Sequence, residues 1–142
     1  MRIYHRTKIS ENYIEAMKGF DISLFQKLVP FFLPIKIKKF TGSKKGDQVH
    51  LSIFNSDWIS DIISDHQDEN QATFVDVGSK LPFPLKSWKH EHIVEKITQN
   101  ESYIIDEIEF KTMNMITDIL VYPLLWFSFF MRKHQYKKYF NY

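Results

Sequence analysis

From residue 35 to residue 111 the chain reads as six extended segments in succession, and one long helical stretch follows the last of them. Apolar residues alternate with polar ones in residues 35–40 (Ile35, Ile37, then Phe40) and 48–54 (Val49, Leu51, Ile53), as in strands with one buried face. Residues 58–65, 72–77, 86–97 and 102–111 continue the pattern. Gly42 to Asp47, Asn55-Ser56-Asp57, Asp68-Glu69-Asn70 and Gln99-Asn100-Glu101 lie between them, with the composition of turns. Strands joined by links this short pair antiparallel. Leu81-Pro82-Phe83-Pro84-Leu85 fits neither a helix nor a central strand, since two prolines remove two donors, and reads as a rigid connection. An antiparallel sheet keeps one face wet and must cover the other. The helical pattern from Met115 to about Phe140 is the only element large enough to do so.

The N-terminal region completes the order. Residues 2–8 alternate as a first strand, with Ile3 and His5 on one face. Ser10-Glu11-Asn12 starts a short helix to Lys18, carrying Tyr13, Ile14 and Met17 at helical spacing, and Gly19 stops it. Asp21 caps a second short helix through Leu28, after which Pro30 and Pro34 force an extended path. No repeat and no linker divides the chain, so residues 1–142 form one domain.

Composition excludes several function classes. A net charge of +2 is too mild for a nucleic-acid binder, which needs Lys and Arg gathered on one face. Without cysteine there is no disulfide, thiolate catalysis or cysteine zinc site. The segment Met1-Arg2-Ile3-Tyr4-His5-Arg6 lacks the apolar core of a secretory signal, and the cytoplasm is the expected location. No Gly-rich phosphate loop or Gly-x-Ser-x-Gly elbow occurs, and no cofactor is implied. Ile119 to Met131 is free of charge, but those 13 residues reach only about 20 Å as a helix against the roughly 30 Å of a bilayer core. Aromatic residues, 16% of the chain, fit either a heavy core or a lined cavity.

Several phrases, with this element order, resemble the SRPBCC superfamily of START-like helix-grip proteins, above all its small bacterial ligand-binding members. They are Gly19-Phe20-Asp21 with Leu24-Phe25, Phe40-Thr41-Gly42, and Lys45-Gly46-Asp47. Leu81-Pro82-Phe83-Pro84 with Trp88-Lys89-His90-Glu91-His92 follow, then Tyr122-Pro123, Arg132-Lys133 and Tyr139-Phe140. The resemblance covers nearly the whole chain. It implies an α+β helix-grip fold: a curved antiparallel sheet of about seven strands around a long C-terminal helix, with two short helices after the first strand. It also implies a cavity between sheet and helix for a small hydrophobic or amphipathic molecule. The superfamily holds binders, transfer proteins and cyclases, so the fold alone does not decide activity.

The chemistry concentrates on two segments. In residues 88–95, period two puts Trp88, His90, His92 and Val94 on one face and Lys89, Glu91 and Glu95 on the other. The charged set belongs in water, which turns the indole and both imidazoles toward the helix. Likewise Ile104, Asp106, Ile108 and Phe110 face inward, opposite Tyr103, Glu107 and Glu109. Three readings fit an acid beside two histidines on an apolar face: a buried hydrogen-bonded network, the polar end of a ligand pocket, or a chemical site. The last is either an acid–base pair or a His-x-His plus carboxylate metal triad built on His90, His92 and Asp106. Trp58, Ser60 and Ile62 face inward on their segment, with Phe74 or Val75 on the next.

In the last helix Ile116, Ile119, Leu120, Pro123, Leu124, Phe127 and Met131 form a stripe expected to cover the sheet. The expected ligand-contacting set is thus Trp58, Ser60, Trp88, His90, His92, Asp106, Ile108, Phe110, Leu120, Pro123, Leu124 and Phe127. Tyr122, Leu125, Trp126, Phe129 and Phe130 lie off that stripe, so the helix is apolar nearly all round. The surplus surface fits core burial, a homodimer contact or a peripheral membrane contact helped by Arg132, Lys133, Lys137 and Lys138. Three functions therefore remain: a carrier of a small hydrophobic ligand, a cyclase or isomerase using the inward His and Asp residues, and an interaction module.

Overall fold

The computed structural model describes residues 1–140. Strand β1 (Arg2–Ile9) leads into helices α1 (Tyr13–Lys18) and α2 (Ile22–Leu28). Strands β2 (Ile35–Phe40), β3 (Gln48–Ile53), β4 (Ser56–Gln67), β5 (Gln71–Lys80), β6 (Leu85–Thr98) and β7 (Glu101–Thr112) follow, and helix α3 (Met115–Tyr139) ends the fold. One seven-stranded sheet runs in the order β1-β7-β6-β5-β4-β3-β2. All six pairings are antiparallel. Among the described residues the one non-sequential pairing returns β1 to β7, which places the N-terminal strand beside the last one.

Local sequence accounts for the joints. The Asn12 side chain accepts from the Ile14 and Glu15 amides at the start of α1, and Asp21 accepts from the Leu24 amide at the start of α2. Asn114 caps α3 through the Thr117 amide. The β3–β4 turn lies one residue earlier than composition indicates. Phe54 and Asn55 occupy it at φ of 48° and 62°, while Ser56 and Asp57 already pair with Ile53 and Ser52.

The core falls into two clusters under α3. One gathers Ile9, Tyr13, Ala16, Phe20, Leu24, Leu28, Phe74, Val94 and Tyr136, tying α1 and α2 to the sheet and the end of α3. The other joins Ile3, Leu85, Trp88, Ile108, Phe110 and Phe129 under the middle of that helix. Burial of this kind supplies about 1.5–3 kcal/mol for each large side chain.

The rotation of α3 departs from the expected stripe. Ser128, Phe129 and Tyr136 are buried toward the sheet, whereas Ile116, Ile119, Leu120, Leu124 and Phe127 are exposed. Apolar residues surround this helix, so periodicity cannot choose its inner face; polar partners do. Asp118 accepts from the amide and hydroxyl of Thr112, and Tyr136 donates to Asp106. These contacts turn the 118–122–125–129–132–136 side inward.

Candidate functional site

A cavity of about 400 Å³ opens between the sheet and α3. Its apolar wall comes from Leu24, Phe25 and Leu28 of α2, Val49 and Leu51 of β3, and Leu125 and Phe129 of α3. Trp58, Ser60, Trp88, His90 and His92 border it, as expected from their alternation. So does Leu124, at the exposed edge of the mouth. The other expected contacts do not. Leu120, Pro123 and Phe127 stand on the outer side of α3, the consequence of its rotation. Ile108 and Phe110 are packed in the core beside Trp88. Asp106 lies behind His90 and Arg132, which border the cavity in its place.

The inner end of the cavity is polar and internally bonded. The β5–β6 register sets Asp76 opposite His90 and Phe74 opposite His92, and the β6–β7 register sets His92 opposite Asp106. His92 Nε2 donates to Asp76 Oδ2 at 2.6 Å, and Trp88 Nε1 donates to Asp76 Oδ1 at 3.1 Å. His90 Nε2 donates to Asp106 Oδ1 at 2.8 Å, while its Nδ1 stands 3.7 Å from Asp76 Oδ2. His90 thus bridges two carboxylates. Tyr136 donates its hydroxyl to Asp106 Oδ2 at 3.2 Å, and Arg132 Nη1 lies 3.7 Å from Asp106 Oδ1. Ring packing holds the imidazoles: His92 stacks on Phe74 at 4.0 Å and meets the His90 ring, tilted by 32°, at 3.6 Å.

Burial and neighbours set the charges. Burial pushes the Asp106 carboxyl up, but the His90 hydrogen bond and the nearby His90 and Arg132 charges outweigh it, leaving a pKa of about 2. Asp76 is also held below the ordinary range: burial acts upward, and the bond from His92 with the neighbouring His90 prevails. For His92 burial dominates, with His90 adding to it, and its pKa falls to about 4. Neutral His92 carries its proton on Nε2, facing Asp76, which leaves Nδ1 as a buried nitrogen with no hydrogen-bond partner among the described residues. Burial, followed by the Asp106 charge, raises the Tyr136 hydroxyl far above its usual value, so it stays a donor.

Asp76, Arg132 and Tyr136 were not foreseen as site residues. On 72–77 the Thr73-Val75-Val77 set is the more apolar face, so polarity alone turns Asp76 outward. The metal arrangement also changes membership. Asp76, His90 and His92, rather than Asp106, each offer a ligand atom within 4.8 Å of the others. Here His92 Nε2 and Asp76 Oδ2 are joined to each other by the 2.6 Å hydrogen bond.

The sheet, the grip of α3 and the cavity between them define the helix-grip fold. No protein-family model matches the chain, and no curated protein matches it in sequence. Solved structures match its fold. XoxI from Bacillus cereus aligns with a TM-score of 0.70 at 16% identity, over 98% of this chain and 94% of that one. A truncated norcoclaurine synthase from Thalictrum flavum aligns with a TM-score of 0.68 at 12% identity, over 100% and 94%. A hypothetical protein from Helicobacter pylori aligns with a TM-score of 0.68 at 8% identity, over 99% and 88%. At these identities the likeness is one of fold.

Proposed function

We propose that this protein binds a small amphipathic molecule in the cavity between sheet and α3. The apolar body lies against Leu24, Leu28, Leu51 and Trp58, and the polar head meets Asp76, His90 and Arg132. The observation that carries this reading is a cavity of about 400 Å³ with apolar walls and one polar inner end. Pockets of about 300–1,000 Å³ that set a few polar groups in an apolar lining orient small ligands in this way. Ser60 adds a further polar contact: its oxygen accepts from Trp58 Nε1 at 3.2 Å, leaving its own proton free to donate. Native mass spectrometry of the protein from its own host tests the proposal. A bound small molecule released on denaturation supports it; a ligand-free mass, with no uptake of added amphiphiles, overturns it.

A second reading is catalysis by proton transfer. It is favoured by the 2.6 Å His92–Asp76 pair and by the fold shared with norcoclaurine synthase, one structure of which holds dopamine and hydroxybenzaldehyde. Against it, His92 Nδ1 is buried rather than open to the cavity. Turnover of a bound ligand that is lost in His90→Ala at unchanged affinity would establish this reading.

A further inference from the structure

α3 leaves most of its apolar surface bare. Ile116 and Leu120 are each 73% exposed, and Ile119, Leu124, Phe127 and Phe130 are exposed as well. Within the most apolar 18-residue window of the helix only 11% is buried. Soluble monomers rarely leave a contiguous patch of this kind uncovered.

The patch extends past the helix and surrounds the cavity mouth. Phe31, 85% exposed in the α2–β2 loop, meets Phe32 at 5.5 Å, and Phe32 meets Phe127 at 5.6 Å. Phe54 in the β3–β4 turn and Phe83 in the β5–β6 loop are exposed, and both also line the cavity. Leu124 belongs to the helix face and to the lining. Phe54 is held at a φ of 48°, a left-handed backbone that a bulky side chain adopts only at a cost. Neither burial nor local backbone preference accounts for an aromatic ring at that position.

Two features identify the occupant. First, the cavity opens within the patch, so a second copy seated there would close it, whereas a lipid surface covers the patch and communicates with the opening. Second, the charge is one-sided. From Ile119 to Tyr142 the chain has four Lys and Arg residues and no Asp or Glu; Arg132 turns inward toward Asp106, and Lys137 and Lys138 are exposed. Lys133 Nζ lies 5.7 Å from the centre of the Phe130 ring, itself stacked on Trp126, at the margin of the patch. Aromatic rings at the acyl boundary with cations at the headgroup level are how peripheral proteins hold anionic membranes. The opposite face of α3 is fastened to Asp106 through Tyr136, so the helix lies along the surface instead of crossing it.

We propose that the outer face of α3 and the aromatic rim of Phe31, Phe54 and Phe83 dock this protein on an anionic lipid surface with its cavity mouth against the bilayer. Delivery of an apolar cargo through that mouth rests on the binding reading above; docking itself does not.

Vesicle co-sedimentation of the full chain tests it. Vesicles of phosphatidylcholine with roughly one third phosphatidylglycerol should bind the protein about ten-fold or more tightly than phosphatidylcholine alone, and added salt should weaken the binding. Leu120→Glu and Phe31→Glu, at positions too exposed to disturb the core, should lose about ten-fold or more of that affinity. Their circular dichroism and their affinity for a cavity-bound amphiphile should stay unchanged. No sedimentation with either vesicle overturns the proposal, as does equal binding by the variants. A stable dimer in light scattering that Leu120→Glu splits also overturns it, by assigning the face to a second copy. Vesicle binding by a chain that takes up no amphiphile supports docking while defeating the carrier reading, so the two failures are distinct.

Discussion

Tyr136 on α3 and Asp106 on β7 stand 30 residues apart in sequence and meet hydroxyl to carboxylate at 3.2 Å, with Asp106 only 2% exposed. The same carboxylate accepts from His90 at 2.8 Å, so the contact that orients the helix also orients an imidazole at the cavity. Fold and site share one buried anion. Removing either partner should therefore be felt in both.

Tyr136→Phe deletes the hydroxyl while keeping the ring among Phe20, Phe140 and their neighbours. It should cost about 1.5–3 kcal/mol in urea denaturation, the worth of a hydrogen bond to a charged group. Asp106→Ala leaves Arg132 without its counter-charge and His90 Nε2 without its acceptor, and should cost about 3–5 kcal/mol. Costs near zero for both would mean that the network does not hold α3.

Acid should weaken the fold in two stages. His92 has a pKa of about 4 in the folded protein against 6.5 ordinarily, so between those values the unfolded chain binds the extra proton and the folded one does not. Stability rises with pH wherever the unfolded state holds more protons, and so it should fall as pH drops from 6.5 to 4. Asp106, at about 2 against 3.8, adds a second loss as pH falls from 3.8 to 2. Denaturation midpoints measured across this range should follow both steps, and His92→Gln should reduce the first, leaving the share of His5, whose pKa burial also lowers. A wild-type profile that is level from 6.5 to 4 would contradict the placement of His92.

Phe54→Asn should stabilise the protein by about 1 kcal/mol, because asparagine tolerates the left-handed backbone of that turn far better than phenylalanine. The same substitution removes a ring from the rim and should weaken vesicle binding. Thermal melting and co-sedimentation read the two effects. A destabilised variant would show that the Phe54 ring holds the turn in place.

Much of the fold was legible because the outward residues are unambiguous. On β6 and β7, Lys89, Glu91, Glu95, Glu107 and Glu109 leave Trp88, His90, His92 and Asp106 no face but the inner one, and all four are buried. The short turns determine the antiparallel order in the same way. Asp76 was hidden because the opposite face of its strand, Thr73-Val75-Val77, is the more apolar in sequence, and the register that sets it opposite His90 reveals its direction. α3 hid its inner side for a similar reason. A helix apolar on every side carries no moment to read, and its rotation is decided by Thr112, Asp106 and Asp118, which lie far from the stripe or look like surface polarity in the sequence.

Displacement of a fluorescent medium-chain amphiphile tests the central claim most directly, comparing the wild-type chain with Leu51→Trp, which fills the cavity from β3, and Leu120→Glu, which alters only the outer face of α3. Wild type and Leu120→Glu should bind alike, and Leu51→Trp about ten-fold or more weakly while remaining folded. Equal affinity in Leu51→Trp, or no binding by any of the three, would contradict a ligand held between sheet and helix.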